Sequence, residues 1–206
     1  FALARIFCQI EEDSSFSTLQ KGTIGWETIF KDADWFHWSG ITPSLSLELA
    51  ELCEEALLVA SRMGLTISAD LNYRPTLWKY GKNANEIMPN LVQHCDLLLG
   101  GIDESEKVLG VKMIEGETEE IVFANWMKAF PKLKNITSTH RMRANASSNA
   151  VSASIWNGKE LLHSREYNIS HIIDRIGAGD AFMAGIIYGV ITWPDDHQTA
   201  LEFAVA

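Results

Sequence analysis

Gly177-Ala178-Gly179-Asp180 is the segment of this 206-residue chain whose residue types and spacing most clearly suit chemistry. Two glycines flank an alanine directly before an aspartate, and an apolar run rich in small residues follows from Ala181 to Gly189. Glycines at such a junction let the backbone turn sharply, so that successive N–H groups converge on one point. A helix starting there adds its unpaired N–H groups and the positive end of its dipole. The product is an anion hole with a carboxylate beside it that can act as a base. A second reading involves no chemistry: the glycines form a tight strand-to-helix turn and Asp180 caps the helix.

Three other places carry candidate groups. Asp70-Leu71-Asn72-Tyr73-Arg74-Pro75 follows an apolar strand pattern, Thr66 to Asp70. In open α/β sheets that strand end is the ligand-binding edge. Continued alternation would put Asp70, Asn72 and Arg74 on one side, and Arg74 could fork onto a carboxylate or phosphate; an Asx-turn with a surface ion pair is the plainer reading. Asp103-Glu104-Ser105-Glu106 opens an expected helix with acids in its first turn, where they suit the dipole. Glu104 could equally face Mg²⁺ through water, because Mg²⁺ prefers oxygen ligands and keeps its waters. His140, Arg141 and Arg143 form a cationic spot in the second half, and His37 reads as a core polar residue.

The elements that would position these groups alternate as β and α. Asp34 to Gly40 is an apolar strand ending at glycine, and Leu45 to Met63 has helical spacing with Gly64 as its stop. The strand Thr66–Asp70 comes next, then a helix at Ala84–Val92 and a short strand from Cys95 to Gly100. A helix from Glu117 to Phe130 should bury Ile121, Trp126, Met127 and Phe130. Asn135–His140 is a strand, and Asn157-Gly158 predicts a type I′ hairpin between 152–156 and 160–164. Strands with short helical crossovers imply an α/β fold with a mainly parallel sheet. The run Ala2–Cys8 also reads as a strand. Because the chain opens in a strand and closes in a helix, it reads as a fragment of a longer protein.

Composition narrows the partners. With 27 acidic against 17 basic residues the formal charge is −10. That argues against nucleic acid or an anionic membrane held by a broad basic surface, but leaves room for a locally bound phosphate. No apolar run reaches membrane-spanning length. Cys8, Cys53 and Cys95 are widely spaced and form no C-x-x-C pair, which fits reduced thiols and a cytoplasmic location.

The motif Asp174-x-x-Gly177-Ala178-Gly179-Asp180 resembles the signature of the ribokinase-like (PfkB) sugar kinases. Asp13–Ser17, Trp35–Pro43, Asp70–Trp78 and Asp174–Phe182 are most similar to members that phosphorylate 2-keto-3-deoxygluconate. The resemblance implies a three-layer α/β/α sandwich with a mostly parallel sheet. It implies further that residues 1–206 are a partial kinase domain, with the N-terminal third, most of the lid and the C-terminal end absent. It implies ATP-dependent phosphorylation of the sugar acid at its 6-hydroxyl, with Asp180 as base and the amides of Gly177, Ala178 and Gly179 stabilising the transferred phosphoryl group. Arg74 would hold the substrate carboxylate, Thr139 would approach the nucleotide phosphates, and Glu104 would help place Mg²⁺. Asp174 would support the loop or a monovalent cation, and the whole protein would form a homo-oligomer. Gly101 and Arg141 depart from the family pattern, at positions usually filled by asparagine and glycine. The alternatives are another ribokinase-like kinase, such as a fructokinase, and a sugar- or nucleotide-binding protein without turnover.

Overall fold

The computed structural model describes residues 15–16, 18–143, 148–170 and 176–206. The expected strand Ala2–Cys8, the Asp13–Ser17 motif except Ser15 and Phe16, and Asp174 lie outside them. The elements run α1 (Trp26–Ile29), β1 (Trp35–Ser39), α2 (Ile41–Leu45), α3 (Leu47–Met63), β2 (Thr66–Asp70), α4 (Ala84–Val92) and β3 (Leu97–Leu99). They continue with α5 (Glu119–Ala129), β4 (Asn135–Arg143), β5 (Ser148–Trp156), β6 (Leu161–His163), β7 (Tyr167–Ser170), α6 (Ala178–Thr192) and α7 (His197–Val205).

The sheet order is β1-β2-β3-β4-β5-β6, with β7 also paired to β5. Pairs from β1 to β4 are parallel, and β5 pairs antiparallel with β4, β6 and β7. One face carries the larger core, where Leu57 of α3, Met88 of α4 and Trp126 of α5 are fully buried with Ile67, Leu98 and Ile136. The other face packs Phe182, Met183 and Ile186 of α6 and Leu201 of α7 on Leu97, Leu99, Ala153 and Ile155. Helices thus cover both faces, which is why β3 is an unbroken Leu97-Leu98-Leu99, all buried. The result is the expected ribokinase-like α/β/α sandwich. The lid, expected to be largely missing, is present as β4–β7 with α4, and that part of the sequence reading is corrected.

Register explains how the sheet presents a site. Ser39 pairs with Asp70, Asp70 with Leu99, and Leu99 with Thr137, so one row crosses the sheet at the C-terminal ends of the parallel strands. Leu99 packs against α6, and strand alternation puts Ser39, Asp70 and Thr137 on the same face. The opposite end is anchored by Asp96, which accepts from the Ile67 N–H and pairs with Lys132 and Lys134 at 3.1 and 3.0 Å.

Gly40 closes the row. Its N–H donates to the Asp70 carbonyl at 2.8 Å, and a Cβ at this position would lie 2.1 Å from the Leu71 carbonyl oxygen. Backbone cannot yield as a flexible side chain does, so Gly40→Ala should destabilise the fold by about 1–3 kcal/mol, read as a lower urea midpoint at unchanged slope.

Other local expectations shift for identifiable reasons. The long helix is interrupted at Ser46, whose hydroxyl accepts from the Leu49 N–H and restarts it as α3. The segment after Gly101 makes only a 3₁₀ turn, Ile102–Glu104, in place of a helix. In α5 the inward residues are Val122, Phe123 and Trp126, while Ile121 faces out at 47 % exposure. The 157–160 connection is not type I′, because Gly158 has positive φ and Asn157 does not. Instead the Asn157 Oδ1 accepts from the N–H groups of Lys159 and Glu160, an Asx-turn that replaces the second left-handed residue.

Candidate active site

The α6 N-terminus stands over the strand-end row. Gly177 is its N-cap, with φ of +80°, a left-handed conformation that costs glycine little. The Gly177 carbonyl accepts from the Ala181 N–H at 2.8 Å, so Asp180 occupies the third helical position. The plainer reading of Asp180 as the cap therefore does not hold. The N–H groups of the first turn point out of the helix start, as in known anion sites.

Beneath this turn lies Asp70. Its Oδ2 is 3.9 Å from where a Cβ on Gly179 would stand. Its Oδ1 accepts from the Asn72 N–H at 2.9 Å. Asn72 is the one non-glycine residue with positive φ among those described, at 40°, and its side-chain amide donates to the Ser39 Oγ at 3.3 Å. The strand consequently ends at Asp70 and turns, and the alternation expected through Asn72 and Arg74 is not followed.

Burial pushes the Asp70 carboxyl up to about 7, the Asn72 N–H opposes the shift, and the negative charges of Glu104 and Asp180 add to it. His37 of β1 joins the group: its Nδ1 lies 2.8 Å from the Ser68 Oγ, which also accepts from the Trp35 indole N–H at 2.8 Å. His37 is exposed on β1, the edge strand among the described residues, and is not the core polar residue its sequence setting suggested; desolvation by its neighbours lowers the imidazole pKa against the opposing pull of Asp180. Sequence reasoning placed Asp70 at the ligand-binding end of its strand but did not link it, or His37, to Asp180.

Asp70 has a thermodynamic consequence. Its folded pKa exceeds its unfolded one, so the native state binds more proton between about pH 4 and pH 7 and loses stability as pH rises through that window. Asp70→Asn keeps the neutral form throughout. It should be more stable than wild type at pH 8 by on the order of 4 kcal/mol, and the two should converge near pH 4 in urea titrations. Parallel pH profiles would show that Asp70 is not held protonated.

The loop after β2 leads to Glu104. The Glu104 Oε2 accepts from the Gly101 N–H at 2.7 Å and Oε1 from the Tyr73 N–H at 3.4 Å. Burial raises its pKa, opposed by those two N–H groups and by Arg74. Arg74 is exposed and donates from Nη1 to the Tyr73 carbonyl at 3.1 Å. A carboxylate of this kind suits Mg²⁺ in the usual manner, with one or two carboxylates, retained waters and substrate phosphates. Among the described residues no three acidic, histidine or cysteine side chains gather as a complete metal cage.

Thr139 lines a cleft of about 270 Å³ with Gly101, Ile102, Asp103, Glu119 and His140. The structure therefore brings Thr139 beside the Glu104 loop, although the two lie far apart in sequence. The cleft wall is held by a cluster that sequence reasoning did not anticipate. The Ser154 hydroxyl donates to Glu119 at 2.7 Å and lies 3.1 Å from His140 Nε2. The Glu119 carboxylate raises the His140 pKa, and the bonds from His140 and Ser154 carry the Glu119 pKa below its usual value against burial. Cys53 and Cys95 are buried free thiols away from this edge, pushed up by burial. No helix among the described residues is long and apolar enough to cross a membrane.

The profile of the pfkB family carbohydrate kinases matches residues 5–206, and the chain belongs to that family. It is 35 % identical to a 2-dehydro-3-deoxygluconokinase structure from Thermotoga maritima, with a TM-score of 0.83 over 93 % of this chain and 58 % of that one. The 2-dehydro-3-deoxygluconokinase of Bacillus subtilis is 25 % identical over 79 % of this chain and 45 % of its own length. A 2-dehydro-3-deoxygalactonokinase of Haloferax volcanii is 26 % identical over 86 % of this chain and 51 % of its own. The chain thus spans about half the length of the curated relatives it matches. Residues 1–206 were expected to be a partial domain; the family match runs from residue 5 to 206 and so occupies nearly all of the chain.

Proposed function

We propose that this chain carries ATP-dependent phosphorylation of a 2-keto-3-deoxy sugar acid, with 2-keto-3-deoxygluconate as acceptor and its 6-hydroxyl as nucleophile, within one ribokinase-like kinase domain over residues 1–206. The observation that carries the reading is the place of Asp180, in the first turn of a 15-residue helix standing over the C-terminal strand edge. In the proposed reaction Asp180 accepts the hydroxyl proton as the oxygen bonds to the γ-phosphorus of ATP. The bond between that phosphorus and the β,γ-bridging oxygen breaks, and ADP leaves with the electron pair. The N–H groups of Gly177, Ala178 and Gly179 face the charge that develops on the transferred group. Arg74 takes the sugar-acid carboxylate, Thr139 the nucleotide phosphates, and Glu104 would help to hold Mg²⁺, which would supply neutralisation of phosphate charge. Asp174 supports a monovalent cation or the loop, and the whole protein works as a homo-oligomer.

Support for an acid rather than a neutral sugar comes from Arg74, an exposed guanidinium on the loop that leaves the Asp70 strand end. The galactonate-type relative keeps the acid class while leaving the sugar epimer open. An ADP-release assay with 2-keto-3-deoxygluconate, 2-keto-3-deoxygalactonate, fructose and ribose tests both levels. A preference for the keto-deoxy acids is expected; equal or better use of fructose would favour a fructokinase.

A further inference from the structure

We propose that Glu104 is a positioning residue that clasps the nucleotide-side loop to the acid-binding loop, so that binding at one strengthens binding at the other. This rests on the kinase reading, because it takes the Gly101–Thr139 cleft as the nucleotide side and Arg74 as the acid side.

The argument is a continuous set of contacts. One Glu104 oxygen holds the N–H of Gly101, which lines the cleft, at 2.7 Å. The other holds the Tyr73 N–H at 3.4 Å. The carbonyl of Tyr73 in turn accepts from Arg74 at 3.1 Å, so the residue bound by Glu104 also fixes where the arginine rests. A single carboxylate therefore joins segments 31 residues apart.

Its place depends on glycine at position 100, whose missing side chain leaves room beside the carboxylate. A Cβ on Gly100 would lie 3.2 Å from the Glu104 Oε2 and 2.6 Å from the Leu71 side chain, and the Gly100 N–H is tied to the Thr137 carbonyl at 3.0 Å. The Gly101 leg has ordinary hydrogen-bond length, whereas the Tyr73 leg exceeds the usual 2.7–3.2 Å range. That long leg is the part able to tighten. Phosphate drawn into the cleft fixes Gly101 and hence the carboxylate, and a sugar acid drawing on Arg74 repositions the Tyr73 residue against the same carboxylate. Each ligand orders a contact that the other uses, which is the requirement for reciprocal coupling.

The test is calorimetric, on the full chain. The Kd of 2-keto-3-deoxygluconate is measured with Mg²⁺ alone and with Mg²⁺ plus saturating β,γ-methylene-ATP, for wild type, Glu104→Gln and Glu104→Asp. Glutamine keeps one acceptor and loses the other; aspartate keeps the charge and loses the reach, and melting curves confirm that both variants fold. Wild type should bind the acid at least about fivefold more tightly beside the nucleotide analogue. In both variants that ratio should fall to within about twofold of unity, with a smaller change in the Kd for acid alone. Hydrogen exchange of residues 71–78 should speed up in the variants. A coupling ratio retained in Glu104→Gln, or an effect confined to the Mg²⁺ requirement, overturns the clasp. So does a wild-type ratio of unity with both ligands bound, and there the kinase reading survives. Wild type that binds neither ligand removes the kinase reading and the clasp with it.

Discussion

Asp180→Asn is expected to lower kcat by on the order of 10³-fold, the usual contribution of a positioned base, while the Kd for ATP changes by no more than about threefold. Asparagine is nearly isosteric and fits the third position of α6, so the helix start and its N–H groups stay in place. What it removes is the proton acceptor. The loss should therefore fall on kcat rather than on nucleotide binding, the pattern of an interaction made mainly in the transition state. The neighbours provide an internal check. The Asp180 charge helps to raise the Asp70 pKa and opposes the desolvation of His37, so removing it should move both pKa values down. Steady-state ADP release and equilibrium ATP binding on the same preparation decide the matter; turnover within tenfold of wild type would place the base elsewhere.

The local charge also bears on affinity. The chain carries a formal charge of −10, and three carboxylates, those of Asp70, Glu104 and Asp180, interact at this edge, yet the proposed ligands are anions. Burial eases the conflict by favouring the protonated form of Asp70 and raising the Glu104 pKa. Asp70 consequently contributes less repulsion than its residue type suggests, and its cost appears as lost stability toward alkaline pH.

Much of the fold was legible because it is written in short-range patterns. Thr66–Asp70 and Ala84–Val92 have the boundaries their periodicity suggests, and Gly64 ends α3 in a left-handed cap as its position implies. The misses come from side chains that take over backbone hydrogen bonding. Ser46 divides a helix, Asn157 substitutes for a left-handed turn residue, and Glu104 captures the Gly101 N–H where a longer helix was expected. In the site, Gly177–Asp180 was visible because its glycines and acid are contiguous. The links from Asp70 and His37 to Asp180 were not, since they depend on strand register and on a helix that follows about a hundred residues later. The Glu119–His140–Ser154 wall combines one residue from α5 with one each from β4 and β5, and no spacing rule links those positions.

Arg74→Met should weaken use of 2-keto-3-deoxygluconate by about 10- to 150-fold in kcat/KM, the equivalent of the 1.5–3 kcal/mol carried by a hydrogen bond to a charged group. Methionine keeps much of the apolar stem and removes the fork. Residual activity toward a neutral sugar such as fructose should change by less than about threefold, because such a ligand leaves no carboxylate unpaired. Arg74→Lys should recover only part of the loss: lysine restores charge but not the planar pair of donors that fits a carboxylate. The arginine is exposed and on a loop, so neither substitution should shift the melting temperature appreciably, and an activity change cannot be ascribed to unfolding. Equal losses for acidic and neutral sugars would mean that Arg74 acts on the nucleotide or on the loop as a whole. A loss confined to the acids would identify Arg74 as the group that reads the carboxylate, because the charge of the acceptor is then the only property to which the substitution responds.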